Sequence, residues 1–196
     1  TGYQEIITDP SYAGQIITFT FPHIGNVGAN PEDLETATPA VRGCVLRTDI
    51  TEAANWRASG KQGGHLDAWL KSMNLAAVTG VDTRRLTRLI RDSGAPTGVI
   101  INAGQRGKND DIDVDALAAE AAAWPGLEGM DLAKDVTCRQ TYQWDETEWA
   151  LGHGFGKQED PKFHVVAVDY GAKRNILRSL ADGGCRITVV PASASA

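Results

Sequence analysis

A disulfide framework, a paired-cysteine metal or redox site and a membrane span are all excluded by what this chain lacks. It has only three cysteines in 196 residues. Cys44, Cys138 and Cys185 are far apart and odd in number, which fits neither a disulfide scaffold nor a Cys-x-x-Cys pair. Reduced thiols in a cytoplasmic protein are the expectation. Positive charge is also short: 19 Lys and Arg stand against 25 Asp and Glu, for a net charge of −6. A nucleic-acid binder carries a basic excess to displace counterions, so none is expected as a partner. No apolar run approaches the ~20 residues that cross a bilayer, so no membrane partner is expected either. No signal-peptide pattern and no internal repeat stand out. What remains is a chain that is 42% apolar and 22% charged, enough for a real core. Its length suits one large domain, or a domain plus part of another.

The pattern along the chain predicts mixed α/β structure. Two β-rich runs, Glu5 to Thr8 and Gln15 to Phe21, are separated by the turn Asp9-Pro10-Ser11-Tyr12 and followed by a Pro22 to Gly28 loop. A polar loop, Asn30 to Pro39, leads to a short strand within Val41 to Arg47. From His65 to Met73, residues Leu66, Trp69, Leu70 and Met73 recur at helical spacing. A second helix is capped by Asp82 or Thr83 and closed by Gly94, with Leu86, Leu89 and Ile90 turned to the core and its arginines outward. Gly98 to Asn102 reads as a strand. Asp110, Asp111 and Asp113 precede an alanine-rich helix ended by Pro125-Gly126, and Val136 to Cys138 is the next strand candidate. The segment around Tyr142, Trp144, Trp149 and Phe155 reads as irregular.

Residues 157–162 close a glycine-rich and charged stretch (LGHGFGKQEDPK) that reads as a linker between a domain at 1–156 and a second at 163–196. Beyond it, Phe163 to Val168 is a continuous apolar run, as for a strand buried on both faces of a parallel sheet. Asp169-Tyr170-Gly171 turns the chain. A helix follows with Ile176, Leu177 and Leu180 on one face. Gly183-Gly184 ends it before a strand at Arg186 to Val190. That is one βαβ unit, the opening of a doubly wound domain. One such unit cannot bury its own faces, so a larger domain is expected around it.

Few residues point to chemistry by themselves. Ligands of open α/β sheets collect at the carboxyl ends of strands, which places Asp169 to Lys173 at such a mouth. The same residues also suit a plain strand-to-helix turn with Lys173 and Arg174 in water. Ser11 can satisfy backbone groups of the Pro10 turn or contact a ligand. His23 has no metal-ligand partners at recognisable spacing in His65, His153 or His164. The arginine-rich run from Asp82 to Arg91 reads as a solvated face or a protein interface.

Two stretches carry a resemblance. TGYQEIITDPSYAGQIITFTFPHIGNVGAN and VVAVDYGAKRNILRSLADGGCRITVVP resemble the small, glutamine-hydrolysing subunit of carbamoyl phosphate synthetases, and the run at Asp82 to Arg88 has that family's DTRxLTR form. The resemblance implies a swivelling β/β/α-like N-terminal domain, followed by the start of a flavodoxin-like class I glutamine amidotransferase domain. It implies that Ser11 contacts bound glutamine and that Lys173 lies near the glutaminase centre. The intact ligase is implied to be a heterodimer making carbamoyl phosphate for pyrimidine and arginine synthesis. The resemblance also implies that this subunit needs no cofactor and that its large-subunit partner uses ATP and bicarbonate with Mg. The catalytic cysteine and histidine come later than Pro191 in that family. No catalytic residue is therefore expected in this chain, and no glutaminase activity from it alone. The competing expectations are a non-catalytic module that binds the large subunit and a nucleotide-binding domain using Asp169 to Lys173.

Overall fold

The computed structural model describes residues 2–54, 64–101 and 112–195. Asn102, Asp110 and Asp111 lie outside them. The chain forms two compact units. One comprises Thr1–Ile7, Gly14–Asp33 and Val41–Met130; the other comprises Thr8–Ala13, Leu34–Ala40 and Asp131–Ala196. Residues 157–162 lie inside the second unit.

The first unit is built on a three-stranded parallel sheet in the order β1-β2-β3: Ile16–Thr18, Gly43–Val45 and Ala76–Val78. Register runs Ile16 to Gly43 to Ala76. Cys44 and Leu46, on and just after the central strand, are each 1% exposed and anchor the core with Phe19, Val41, Leu66 and Leu70. Helix α2 (Leu66–Ser72) follows the predicted spacing, with Leu66 and Leu70 buried and Trp69 half-buried. Helix α3 (Thr83–Ser93) is capped by Asp82, whose side chain accepts from the Arg85 amide, and Gly94 stands at its end. Helix α4 (Val114–Ala123) starts on an Asp113 cap.

Several expectations for this unit fail. Glu5 to Thr8 is not a strand but part of helix α1 (Tyr3–Thr8). Tyr3, Gln4 and Ile7 are all buried, a helical stripe. Specific polar contacts override the β preference of Ile6 and Ile7. The Tyr3 hydroxyl donates to Gly28 O at 2.6 Å, and the Gln4 amide exchanges two hydrogen bonds with the Asn30 backbone. Burial pushes the Tyr3 phenol up to about 12. Gly98 to Ile101 carries no strand. Leu86, Leu89 and Ile90 do not enter a core: Leu89 is 56% exposed, the other two are half-buried, and α3 buries only Thr83. The helix touches β1, but none of these three side chains is fully enclosed.

The second unit holds a three-stranded sheet in the order β4-β8-β7: Tyr142–Trp144, Cys185–Pro191 and Phe163–Asp169. β7 and β8 run parallel from Phe163–Cys185 to Asp169–Pro191, joined through α6 (Arg174–Asp182), so the predicted βαβ unit is present. β4 pairs antiparallel with β8. Leu177, Ala181, Ile187 and Val189 form the core, with Cys138, Trp144, Ala167, Leu180 and Cys185 packed on it. Leu177, Ile187 and Val189 each stabilise by about 1.5–3 kcal/mol through burial. A hairpin of β5 (Glu146–Ala150) and β6 (Gly154–Lys157) packs on α6. Arg178, 6% exposed, fixes that contact. Its Nε donates to Glu146 Oε1 at 2.8 Å and its guanidinium stacks 3.7 Å from the centre of the Phe155 ring.

Four corrections follow. Val136 to Cys138 is not a strand, because Val136 closes the short helix α5 (Ala133–Val136). Tyr142, Trp144, Trp149 and Phe155 are not irregular but lie on β4, β5 and β6. β7 is not buried on both faces: it is an edge strand with Phe163 64%, Val166 58% and Val168 46% exposed. On α6 the buried face is Leu177, Arg178 and Ala181, with Leu180 half-buried, whereas Ile176 is 52% exposed. The buried arginine rotates the helix from the face that aliphatic spacing alone selects.

Candidate functional site

The carboxyl end of β7 gathers several polar bonds around one carboxylate. The strand ends at Asp169, which is buried. One carboxylate oxygen accepts from the amides of Gly171 (2.9 Å) and Ala172 (2.8 Å), and the other from the amide of Cys138 (2.6 Å). This carboxylate shapes the elbow and ties it to the segment after α5. Gly171 turns it at φ +93°, a left-handed conformation that disfavours any side chain. A Cβ there would also lie 2.8 Å from Val136 Cγ2 and 3.3 Å from Pro10 Cβ. The elbow is thus in close contact with the bend from the amino-terminal end of the chain.

That bend is a single 3₁₀ turn, Pro10–Tyr12, capped by Asp9. Proline suits the first position because its fixed φ is already helical and the missing N–H is not needed there. The Asp9 side chain is 7% exposed and accepts from the Ser11 amide at 2.9 Å and from Lys173 Nζ at 2.7 Å. Burial alone would raise the Asp9 pKa. The Lys173 ammonium, with the amide and hydroxyl of Ser11, outweighs burial and holds the carboxyl below its ordinary range. Lys173 is raised, first by its hydrogen bond to Asp9, against desolvation, with the negative charges of Asp9 and Glu35 adding. Its side chain remains 41% exposed. The two residues singled out from the sequence, Ser11 and Lys173, therefore meet on one carboxylate.

Sequence reasoning missed that carboxylate and a second one. Asp9 had a readable signal: aspartate directly before proline is a cap pattern. Glu35 had none. Its backbone oxygen accepts from the Arg174 amide at 3.2 Å and its Oε2 accepts from the Asn175 amide at 3.0 Å. Lys173, at the N-cap of α6, makes no side-chain capping bond. Glu35 is itself held by Thr8, whose Oγ1 accepts from the Glu35 amide at 2.9 Å and whose carbonyl accepts from Thr36 Oγ1 at 2.7 Å.

Chemically, the mouth offers an ammonium with exposed surface and an exposed serine, both braced by a buried carboxylate. Such a set suits a small polar ligand bearing carboxylate and amine groups. Two of the thiols, Cys44 and Cys138, are poor nucleophiles. Burial pushes Cys44 up to about 12, and Cys138 is raised by burial first and then by Asp169. His23 is exposed, its ring edge-on to Phe21 at 6.2 Å. Among the described residues, no three His, Cys, Asp or Glu gather as a metal site, and no helix is long and apolar enough to cross a membrane.

Residues 1–100 match the family described as carbamoyl-phosphate synthase small chain, CPSase domain. The chain belongs to this family. Relatives named carbamoyl phosphate synthase small chain align over essentially all of it. The Bradyrhizobium diazoefficiens protein is 57% identical over 200 residues, covering 100% of this chain and 48% of the relative. The Ruegeria pomeroyi protein is 59% identical over 196 residues, with the same two coverages. The Mesorhizobium japonicum protein is 55% identical over 197 residues, covering 98% of this chain and 48% of the relative. The chain thus spans about half the length of the small-chain relatives it matches.

Proposed function

We propose that this chain is the amino-terminal part of the glutamine-hydrolysing small subunit of a carbamoyl phosphate synthase. The observation that carries this reading is the family match together with identity of 55% or more to small-chain relatives across the chain. In the intact subunit, a cysteine thiolate on later polypeptide attacks the carboxamide carbon of glutamine, releasing ammonia and leaving a thioester that water resolves. The ammonia passes to a large subunit, which joins it to bicarbonate with ATP and Mg to make carbamoyl phosphate. The pathways served are pyrimidine and arginine synthesis, and the compartment is the cytoplasm. The βαβ unit β7-α6-β8 opens a flavodoxin-like amidotransferase domain from residue 163. Residues 1–156 form the N-terminal domain and 157–162 the linker.

Ser11 and Lys173 are the glutamine-facing residues of this reading. What supports them is their convergence on Asp9 at the strand mouth. Ser11→Ala in the full-length subunit, assayed with its large-subunit partner, is expected to raise the glutamine KM while ammonia-dependent synthesis persists. An unchanged glutamine KM removes Ser11 from the site. The 196-residue chain by itself is expected to release no ammonia from glutamine; measurable release overturns the assignment of catalysis to later polypeptide.

A further inference from the structure

We infer that Glu35 is a positioning residue for Lys173, acting through the backbone of helix α6. This deepens the glutaminase reading above and rests on it.

A helix leaves its first amides without intrahelical partners, and a side chain at the N-cap normally satisfies one. Helix α6 lacks this, since its N-cap residue is Lys173 and the lysine makes no capping bond. An ammonium has donors only, so lysine cannot cap an amide. The requirement is met from a residue 140 positions away: Glu35 Oε2 accepts from the Asn175 amide at 3.0 Å. The Glu35 carbonyl takes the neighbouring Arg174 amide at 3.2 Å. The two amides directly after Lys173 are thus fixed by one residue. Glu35 carries negative charge at the positive end of the helix dipole, where it is favourable.

The consequence concerns the lysine side chain. Its Nζ is fixed at one end by Asp9 at 2.7 Å, and the backbone that carries it is fixed by Glu35. Thr8, directly before Asp9, holds the Glu35 amide at 2.9 Å. Residues 8–9 and Glu35 therefore form one bonded frame around Lys173. The N-cap position is left to a residue whose side chain serves the mouth instead of the helix, and the capping task passes to Glu35.

The test uses the full-length subunit assembled with its large subunit. Glutamine-dependent and ammonia-dependent synthesis are measured for wild type, Glu35→Ala, Glu35→Gln, Lys173→Ala and the Glu35→Ala/Lys173→Ala double variant. Loss of positioning is expected to raise the glutamine KM of Glu35→Ala by ~10-fold, a small displacement at a binding group being felt directly in KM. Glu35→Gln keeps an acceptor and is expected to stay within ~2-fold of wild type. The double variant should lose no more than Lys173→Ala alone, because residues acting as one unit are non-additive. Additive losses, or an equal fall in both glutamine- and ammonia-dependent rates, overturn the inference and leave Glu35 a structural cap. A Glu35→Ala subunit that fails to assemble moves the decision to Glu35→Gln and Glu35→Asp: the inference stands if only the shorter side chain raises the glutamine KM and falls if neither does. An unchanged glutamine KM in Lys173→Ala has a different meaning, for then the assignment of Lys173 to the glutamine site fails and this inference goes with it.

Discussion

Helices α3 and α6 look alike as sequence and behave differently as structure. Both place leucine and isoleucine at helical spacing and both are rich in arginine. Helix α6 buries Leu177, Arg178 and Ala181 between strand β8 and the β5–β6 hairpin. Helix α3 buries only Thr83 and leaves Leu89 56% exposed. Apolar periodicity states which face of a helix could be covered; it does not state that a cover exists. The arginines diverge in the same way. Arg178 is enclosed because it meets both a carboxylate and an aromatic ring, whereas Arg84, Arg85, Arg88 and Arg91 of α3 are exposed.

The contrast can be broken by substitution in the full-length subunit, with stability read from denaturant unfolding. Gly171→Val, at the elbow that launches α6, is expected to cost most, about 3 kcal/mol, combining left-handed strain with overpacking against Val136 and Pro10. A loss below about 1 kcal/mol would show that the elbow can yield. Arg178→Ala is expected to cost about 2 kcal/mol, since it strips Glu146 of its donor, uncovers Phe155 and opens a packed site. The matching change on the other helix, Arg88→Ala, should stay within about 0.5 kcal/mol. Equal costs at Arg178 and Arg88 would erase the distinction between the helices.

The Asp9–Lys173 pair sharpens the comparison through pH. Asp9 lies below its ordinary range, so its contribution is present above the unfolded carboxyl pKa of about 3.9 and is lost as pH falls through the lower folded value. Lys173 is raised, so its contribution is complete below about 10.4 and is lost as pH rises through the folded value. The stability gap between wild type and Asp9→Asn should therefore be widest from about pH 5 to 9 and narrow on both sides. A gap of about 1–2 kcal/mol is expected, below that of a fully enclosed pair because Lys173 is 41% exposed and screened by water. A gap that does not vary with pH would mean that the pair contributes nothing electrostatic. The smallest effect belongs to Leu89→Ala, expected within about 0.5 kcal/mol in the isolated subunit. A cost above about 2 kcal/mol would show that α3 has a cover in solution.

Much of this was readable beforehand, for reasons that are local. The Asp82 and Asp113 caps, the helices they start, and the sequence β7-turn-α6-β8 all follow from short-range rules of period and capping. The turn at Pro10 was readable too, whereas the exposure of Ser11 was not. Glu5 to Thr8 misled because isoleucine pairs suit strands, and only the contacts of Tyr3 and Gln4 with residues 27–30 make that segment helical.

The amino-acid order by itself determined where elements start and stop and which residues are apolar on which period, because those depend on neighbours within a turn or two of backbone. The tertiary structure alone decided which faces are covered and which charges meet. Asp9 reaches Lys173, and Glu35 reaches the amide of Asn175 across 140 residues. Such pairings depend on distances between segments that no local pattern encodes, and a buried carboxylate is tolerable only where the fold delivers its donors.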